Sequence, residues 1–174
     1  MRDSDALEKN PLVSRSALEA IHGQVFGWAL SRCNYDDAVA EDLVQEAYVE
    51  LLTGRAAFDG RSSLKTFVFG VVQNLARSRF RRIATRLRLL QTFATHDEQV
   101  TDTTHDVDVS SRVWQAVRDL PARQRDVVEL VFCRELTVEE ASQVMGVTAG
   151  TGRVHYDRAK KALRQKLESE RDND

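Results

Sequence analysis

The chain has 174 residues, a formal net charge of −2 at pH 7, 42% hydrophobic residues and 30% charged residues. This composition is typical of a folded protein of one or two domains, and no stretch reaches the roughly 18–20 apolar residues that span a membrane. The first twelve residues lack the apolar core of a secretory signal. Cys33 and Cys133 lie too far apart in the sequence for a CxxC zinc ligand pair, and they predict no disulfide framework.

The small net charge conceals two basic clusters. Six arginines lie between Arg77 and Arg88 without an acidic residue, and a second cluster runs from Arg153 to Lys166 with Asp157 as its one acid. Between them, residues 96–109 contain five acidic residues and no lysine or arginine. Basic clusters of this kind attract phosphates even on an acidic chain, so the pattern favours a nucleic-acid partner.

Three segments of the first half have apolar residues at helical spacing. The pattern predicts helices over 16–33 and 39–53, the second ending at Gly54, and a third from Leu64 through the first basic cluster to about Leu90. Ser62 or Ser63 is placed to cap the third helix. The sequence therefore predicts a small helical domain over residues 14–94.

Residues 95–110 follow neither a helical nor a strand period and contain no bulky aromatic residue. This composition predicts a flexible acidic linker and a domain boundary.

A second helical domain is predicted over residues 111–168. A short amphipathic helix ends near Leu120, and Pro121 suits the first turn of the next helix, which is expected to bury its apolar residues from Val127 to Phe132. Thr137 and Glu140 form a capping box, Gly146 turns the chain, and Thr148 can cap a final helix. This order is typical of a helix-turn-helix, so the predicted fold is all-α, with two small helical domains.

The final helix has a charged face that suits DNA. Arg153, Asp157, Lys160 and Lys161 follow one another at short helical steps, and arginine and aspartate can both read base edges. An ordinary solvated face is the alternative. Gly150 and Gly152 each weaken a helix by up to about 1 kcal/mol relative to alanine. They either let the backbone approach phosphates or are tolerated near a frayed end.

Two faces of the first domain also suggest binding. Exposed carboxylates, an amide and Val49 on the second helix suit a protein partner, whereas no neighbouring side chain supports acid–base catalysis. On the third helix, Phe67 and Phe69 precede Asn74 and the arginines, a combination that binds unstacked bases. Phe67 lies on the apolar stripe of that helix and is expected in the core.

Several motifs together resemble a known family. The segments 41–47 (EDLVQEA) and 58–67 (FDGRSSLKTF), with Asn74 and the arginines after it, resemble region 2 of bacterial sigma factors of the extracytoplasmic-function (ECF) group, in the sigma-70 family. The segments 120–125 (LPARQR), 136–141 (LTVEEA) and 158–163 (RAKKAL) resemble region 4. The resemblance covers about residues 14–94 and 110–167.

The resemblance implies a dissociable subunit that binds core RNA polymerase, reads two promoter elements and helps to open DNA. One set of residues matches the helix that docks on the polymerase β′ clamp: Asp42, Gln45, Glu46 and Val49. A second set matches the site that captures a flipped base of the −10 element and holds the adjoining strand: Phe58, Gly60, Arg61, Ser62, Ser63, Phe69, Asn74, Arg77, Arg79, Arg81 and Arg82. A third matches the −35 reading helix: Thr151, Arg153, Val154, Asp157, Arg158 and Lys161.

The chain departs from the family pattern at three places. Gly152 replaces a β-branched residue, which predicts looser seating of the −35 helix. Phe67 and Phe69 stand where Trp and Tyr are frequent, so stacking is retained but polar contacts are lost. Asp157 replaces a neutral or basic residue and predicts a distinct −35 preference.

The family also implies partners and a location. Besides the β′ clamp, the implied partners are the polymerase β flap, promoter DNA and an anti-sigma factor. The anti-sigma factor, which is often membrane-anchored, holds the protein inactive. The acidic linker matches the segment that threads into the polymerase. The expected location is the cytoplasm, at the nucleoid or at the inner membrane with the anti-sigma factor. No small-molecule substrate, cofactor, metal or catalytic residue is expected.

Two other classes of function remain open from the residues alone. A helix-turn-helix transcriptional regulator with a sensing or dimerising first domain needs only the second basic cluster. It has no use for the face formed by Asp42, Gln45 and Glu46. An enzyme such as a nuclease is disfavoured, because the sequence offers no metal cluster, nucleophile–base pair or glycine-rich phosphate loop.

Overall fold

The computed structural model describes residues 13–91 and 110–171, which form seven α-helices and one short π-helix and contain no strand. The chain divides into two compact units. The predicted all-α fold with two helical units is therefore confirmed. The predicted linker lies outside the described residues apart from Ser110, where a helix begins.

Three helices begin in the first unit: α1 (Arg15–Arg32), α2 (Asp37–Leu52) and α3 (Leu64–Gln91), the last of which belongs to this unit as far as Ile83. Each begins after a side chain that accepts a backbone N–H. Ser14 accepts from Ala17 at 3.1 Å, and Asp36 accepts from Val39 at 3.0 Å. Ser63, rather than Ser62, caps α3 by accepting from the backbone N–H of Thr66 at 3.1 Å. Such caps satisfy N–H groups that the first turn of a helix leaves unpaired.

The core of the first unit contains Trp28 of α1 and Phe69 of α3, both with 0% of their surface exposed. Their rings stack with centroids 5.9 Å apart, and the indole Nε1 donates a hydrogen bond to the Phe69 carbonyl at 3.2 Å. Val68 and Val72 are also fully buried, whereas Phe67 is half-buried. The buried stripe of α3 is thus rotated from the predicted one, because Trp28 packs on Phe69.

Four α-helices and the π-helix begin in the second unit: α4 (Ser110–Arg118), α5 (Ala122–Val128), the π-helix (Glu129–Cys133), α6 (Val138–Met145), which belongs to this unit as far as Ser142, and α7 (Ala149–Arg171). Val117, Leu120, Val128 and Ala159 form a buried cluster in this unit. Pro121 is the residue before α5 rather than part of its first turn.

The π-helix corrects one prediction about burial. Phe132, expected in the core, is 61% exposed and stacks on Tyr156 of α7 with ring centroids 6.1 Å apart. The backbone N–H of Arg134 donates to the carbonyl of Glu129 at 3.2 Å, five residues earlier, which widens the turn. This widening shifts the register and places Phe132 on the surface.

The helices α6 and α7 form the predicted helix-turn-helix. Thr137 and Glu140 make the reciprocal capping box at the start of α6, with bonds of 3.2 and 2.8 Å. Gly146 has φ +66° in the turn, a conformation that favours glycine. Thr148 caps α7 by accepting from Thr151 N at 3.2 Å. None of the helices in the described ranges has both the length and the apolar character needed to cross a membrane.

Candidate functional surfaces

The helix α2 presents a polar face to solvent. Asp42, Gln45 and Val49 are exposed, and Val49 retains 46% of its accessible surface. They lie three and four residues apart, so they share one side of the helix. Leu43, Ala47 and Leu51 occupy the buried side. An exposed apolar residue among carboxylate and amide groups is suited to contact with another protein.

Glu46, the fourth predicted member of this face, is engaged within the chain. Its carboxylate accepts from Arg79 Nη2 at 3.0 Å and from Arg79 Nε at 3.3 Å. The pair links α2 to α3 and is only partly buried, with 32% of the Arg79 side chain and 38% of the Glu46 side chain exposed. A pair this exposed contributes at most about 1 kcal/mol to stability. The structure therefore brings together a residue predicted to bind polymerase and one predicted to bind DNA.

The loop before α3 is held by local contacts. Asp59 accepts from the backbone N–H of Arg61 at 3.1 Å and pairs with the Arg61 side chain at 3.0 Å. Gly60 has φ +75° between them. The Phe58 ring packs on Phe67 with centroids 5.2 Å apart, so the loop rests on the first turn of α3. Ser62 is half-buried, and its hydroxyl donates to the Ser63 carbonyl at 3.3 Å.

The prediction that Phe69 binds DNA is wrong, because its side chain is fully buried against Trp28 and has no surface to offer a base. Phe67, assigned to the core from its spacing, is instead half-buried and packs on Phe58 of the loop. The more deeply buried of the two rings is therefore Phe69, opposite to the prediction. The apolar spacing of α3 alone could not fix its rotation, because the packing partner on α1 decides it.

The basic part of α3 is exposed to differing extents. Asn74, Arg81 and Arg82 are exposed, whereas Arg77 and Arg79 are half-buried. Asn74, Arg77 and Arg81 lie at three- and four-residue steps and share one side of α3. Asn74 and these two arginines therefore follow one another along one side of a single helix.

The predicted −35 residues of α7 are all exposed, and Val154 retains 46% of its surface. Asp157 pairs with Lys160 at 3.1 Å, and the Lys160 ammonium lies 4.3 Å from the centre of the Tyr156 ring. The six exposed residues are Thr151, Arg153, Val154, Asp157, Arg158 and Lys161.

Gly152 of α7 is buried against Ser142 of α6. A β-carbon at Gly152 would lie 1.9 Å from the Ser142 hydroxyl and 3.0 Å from its β-carbon. Ser142 is fixed in this position because its hydroxyl donates to the Val138 carbonyl at 2.6 Å. The prediction of looser seating at Gly152 is therefore wrong, since the glycine permits a close approach of the two helices. A glycine at the start of a recognition helix, opposite a small residue, was the signal for this contact.

Beside this contact, the Arg153 guanidinium donates to the Glu139 carboxylate of α6. Both side chains are largely exposed, at 67% for Arg153 and 50% for Glu139. The hydrogen bond from Arg153 lowers the pKa of Glu139 from its ordinary value, and a hydrogen bond that the carboxylate accepts from its own backbone N–H acts in the same direction. Glu139 is not among the site residues predicted from the sequence, because its partner lies on the next helix.

Comparison with protein families agrees with the two-unit fold. The family model of Sigma-70 region 2 matches residues 17–87, and the model of Sigma-70, region 4 matches residues 110–163. Together these matches cover more than half of the chain.

Several curated proteins are similar in sequence. The ECF RNA polymerase sigma factor EcfG of Rhodopseudomonas palustris (strain TIE-1) is 30% identical over 130 residues, covering 71% of this chain and 68% of the relative. The ECF RNA polymerase sigma factor SigX of Bacillus subtilis (strain 168) is 29% identical over 141 residues, covering 76% of this chain and 73% of the relative.

Solved structures are similar in fold. The sigma factor RpoE of Bartonella quintana, in complex with the anti-sigma factor NepR, aligns with a TM-score of 0.68 and 21% identity over 88% of this chain and 96% of that chain. CnrH, in complex with the cytosolic domain of CnrY, aligns with a TM-score of 0.60 and 22% identity over 96% of this chain and 95% of that one. From both family-model matches and these relatives, the chain belongs to the sigma-70 family of bacterial RNA polymerase sigma factors, in the ECF group.

Proposed function

We propose that this chain is an alternative sigma factor, which binds core RNA polymerase, directs it to promoters through a −10 and a −35 element, and helps to start transcription. The observation that carries the proposal is the presence of both sigma-70 regions, in order, in one chain. A regulator that only binds duplex DNA would need region 4 alone. In this role the chain is a DNA-binding initiation factor rather than an enzyme.

The polymerase contact is assigned to α2. Asp42, Gln45 and Val49 form the exposed face that would dock on the β′ clamp. Glu46 would join them by exchanging its bond with Arg79 for one with the polymerase. Region 4, beyond residue 110, would contact the β flap. Charged and amide groups at the rim of such a contact fix its orientation, and Val49 supplies an apolar centre.

The −10 contact is assigned to the loop 58–63 and to the exposed side of α3. Phe67 replaces Phe69 in this assignment, because Phe67 is accessible beside Phe58. A flipped base needs a pocket that offsets an unstacking cost of a few kcal/mol. The loop backbone around Gly60, together with Asn74, would supply its polar contacts. The remaining backbone contacts would come from four arginines: Arg77, Arg79, Arg81 and Arg82.

The −35 contact is assigned to the exposed face of α7. Arg153 and Arg158 suit bidentate bonds to guanine, and Asp157 suits cytosine N4. Thr151 and Lys161 suit phosphates. Replacement of Arg153 or Arg158 by alanine is expected to cost about 1–3 kcal/mol in promoter discrimination. An equal loss on all sequences would show that these arginines contact only phosphate.

We also propose control by an anti-sigma factor. The solved structure of the sigma factor RpoE with the anti-sigma factor NepR supports this proposal, since RpoE has the same fold as this chain. The chain would act in the cytoplasm at the nucleoid, or be held at the inner membrane if its anti-sigma factor is anchored there. Addition of the purified regulator at a one-to-one ratio should abolish transcription that depends on this chain.

Purified core RNA polymerase provides the direct test. The chain should form a stable complex with core enzyme and support run-off transcription from a promoter that core enzyme alone ignores. Failure to bind core enzyme, combined with binding of the chain to duplex DNA, would overturn the proposal in favour of a helix-turn-helix regulator.

A further inference from the structure

We propose that Glu139 is a specificity-determining positioning residue, which orients Arg153 for reading a base pair of the −35 element. The inference rests on the proposed function, because it concerns how the assigned DNA-reading helix is prepared for binding. Glu139 lies on α6 and is not among the residues assigned to DNA contact.

The geometry of the two helices brings the pair together. Glu139 lies one turn before Ser142 on α6, and Arg153 directly follows Gly152 on α7. Because Ser142 and Gly152 are in close contact, the side chains next to them lie within reach of one another. The Arg153 Nη2 donates to Glu139 Oε1, which joins the beginnings of the two helices of the helix-turn-helix.

The solvent exposure of Arg153 and Glu139 indicates that their ion pair orders a side chain rather than stabilises the fold. With half or more of each side chain open to solvent, the pair adds little to the stability of the fold. It does restrict a long side chain that otherwise samples many rotamers. Ordering such a side chain before binding reduces the entropic cost of forming a specific contact. One η nitrogen of Arg153 bonds to Glu139, and a guanidinium has further N–H donors for a guanine edge.

The charge of Glu139 leads to a second, opposite effect. A carboxylate near the DNA-facing end of a recognition helix repels phosphates, so it weakens binding to DNA of any sequence. Removing it should therefore reduce discrimination while leaving non-specific affinity unchanged or increasing it. A residue that served only to stabilise the fold would lower specific and non-specific binding together.

The test uses holoenzyme assembled from core RNA polymerase and the full chain. A promoter is first selected with wild-type holoenzyme, and competition binding is then measured on a panel with each −35 base pair changed in turn. The position at which Arg153→Ala removes the preference marks the base pair that Arg153 reads. Glu139→Ala should reduce discrimination at that position by about two- to fivefold. Glu139→Gln, which keeps an acceptor oxygen, should restore part of it.

Matched variants separate positioning from folding and from charge. Glu140→Ala breaks the adjacent capping box and should lower both the melting temperature and binding to all sequences. Glu19→Ala removes the carboxylate of another exposed ion pair, on α1, and should leave −35 discrimination unchanged. In an Arg153→Ala background, Glu139→Ala should have no further effect on discrimination.

Two results would overturn the proposal. One is unchanged discrimination in Glu139→Ala, and the other is the same loss of discrimination with and without Arg153. Both are distinct from failure of the proposed function, in which wild-type holoenzyme would select no promoter at all.

Discussion

Gly152 and Ser142 are matched in size, and any side chain added at Gly152 meets the Ser142 hydroxyl at 1.9 Å. Gly152→Ala should therefore destabilise the protein. Alanine improves helix propensity by up to about 1 kcal/mol, but overpacking costs about 1–3 kcal/mol. The clash cannot be relieved by rotating the hydroxyl alone, because the two β-carbons would remain 3.0 Å apart. The expected net loss is about 1 kcal/mol, measured by urea unfolding of the full chain.

Gly152→Ala should stabilise the protein, rather than destabilise it, when Ser142 is replaced by a smaller residue. In a Ser142→Gly background, the nearest remaining atom to the new β-carbon is the α-carbon of residue 142, at 3.6 Å, which is an ordinary contact. Gly152→Ala should then stabilise the protein through helix propensity. A loss of the same size in both backgrounds would show that the clash with Ser142 is not what the glycine avoids.

Substitutions of the two phenylalanines of α3 should have different effects, one on the stability of the fold and the other on promoter opening. Phe69→Ala removes a fully buried ring and is expected to cost about 3–5 kcal/mol of unfolding free energy. Phe67→Ala, at a half-buried position, should cost about 1 kcal/mol and chiefly reduce strand opening. Unfolding curves and the permanganate reactivity of unpaired thymines in the open complex measure the two effects. Normal opening by a folded Phe67→Ala protein would remove Phe67 from the −10 site.

Substitutions on the exposed face of α2 should weaken binding to polymerase without destabilising the fold. Asp42→Ala combined with Gln45→Ala is expected to weaken binding to core RNA polymerase by about tenfold, because both polar groups that orient the proposed contact are lost. Both side chains are exposed, so the free energy of unfolding should change by less than about 0.5 kcal/mol. Fluorescence titration of core enzyme measures the affinity, with Glu19→Ala as the control for charge. Unchanged affinity would place the polymerase contact elsewhere.

The pair between Arg153 and Glu139 should be visible in a titration. Because the bond from Arg153 lowers the pKa of Glu139, the carboxylate should protonate only below the ordinary pH range of glutamate. The pair is then fully present at neutral pH and is lost as the pH falls through that lowered pKa. Side-chain NMR gives the pKa, and Arg153→Ala should raise it towards the ordinary value. An unaltered pKa in Arg153→Ala would show that the backbone bond of Glu139 dominates.

Helix ends proved the most predictable part of the fold, because their chemistry is local. The capping box of Thr137 and Glu140 and the cap at Thr148 were predicted from residues within three positions of each helix start, and both are present. Ser63 was one of two predicted candidates for the third cap. In each case the side chain that accepts the N–H is adjacent in sequence to the helix that it begins.

Features that depend on a distant partner were not predictable. The burial of Phe69 depends on Trp28, 41 residues away, and apolar spacing alone allows more than one rotation of α3. The exposure of Phe132 follows from a π-turn that no spacing rule indicated. The role of Gly152 depends on Ser142, and the bond from Arg153 depends on Glu139, both on the preceding helix. The DNA-contact and polymerase-contact residues other than Phe69 stay predictions.

The uninterrupted length of α3 fixes how its DNA-contact residues are spaced. The helix has 28 residues, which at about 1.5 Å per residue makes a rod of roughly 42 Å. Its first half is anchored in the core through Phe69, and its second half carries the arginines. One residue inserted after Ala76 would turn every later side chain by about 100° around the axis and advance it by about 1.5 Å. In the proposed role, the spacing between Asn74 at the −10 site and the arginines that would hold the adjoining strand is thus set by the backbone of a single helix.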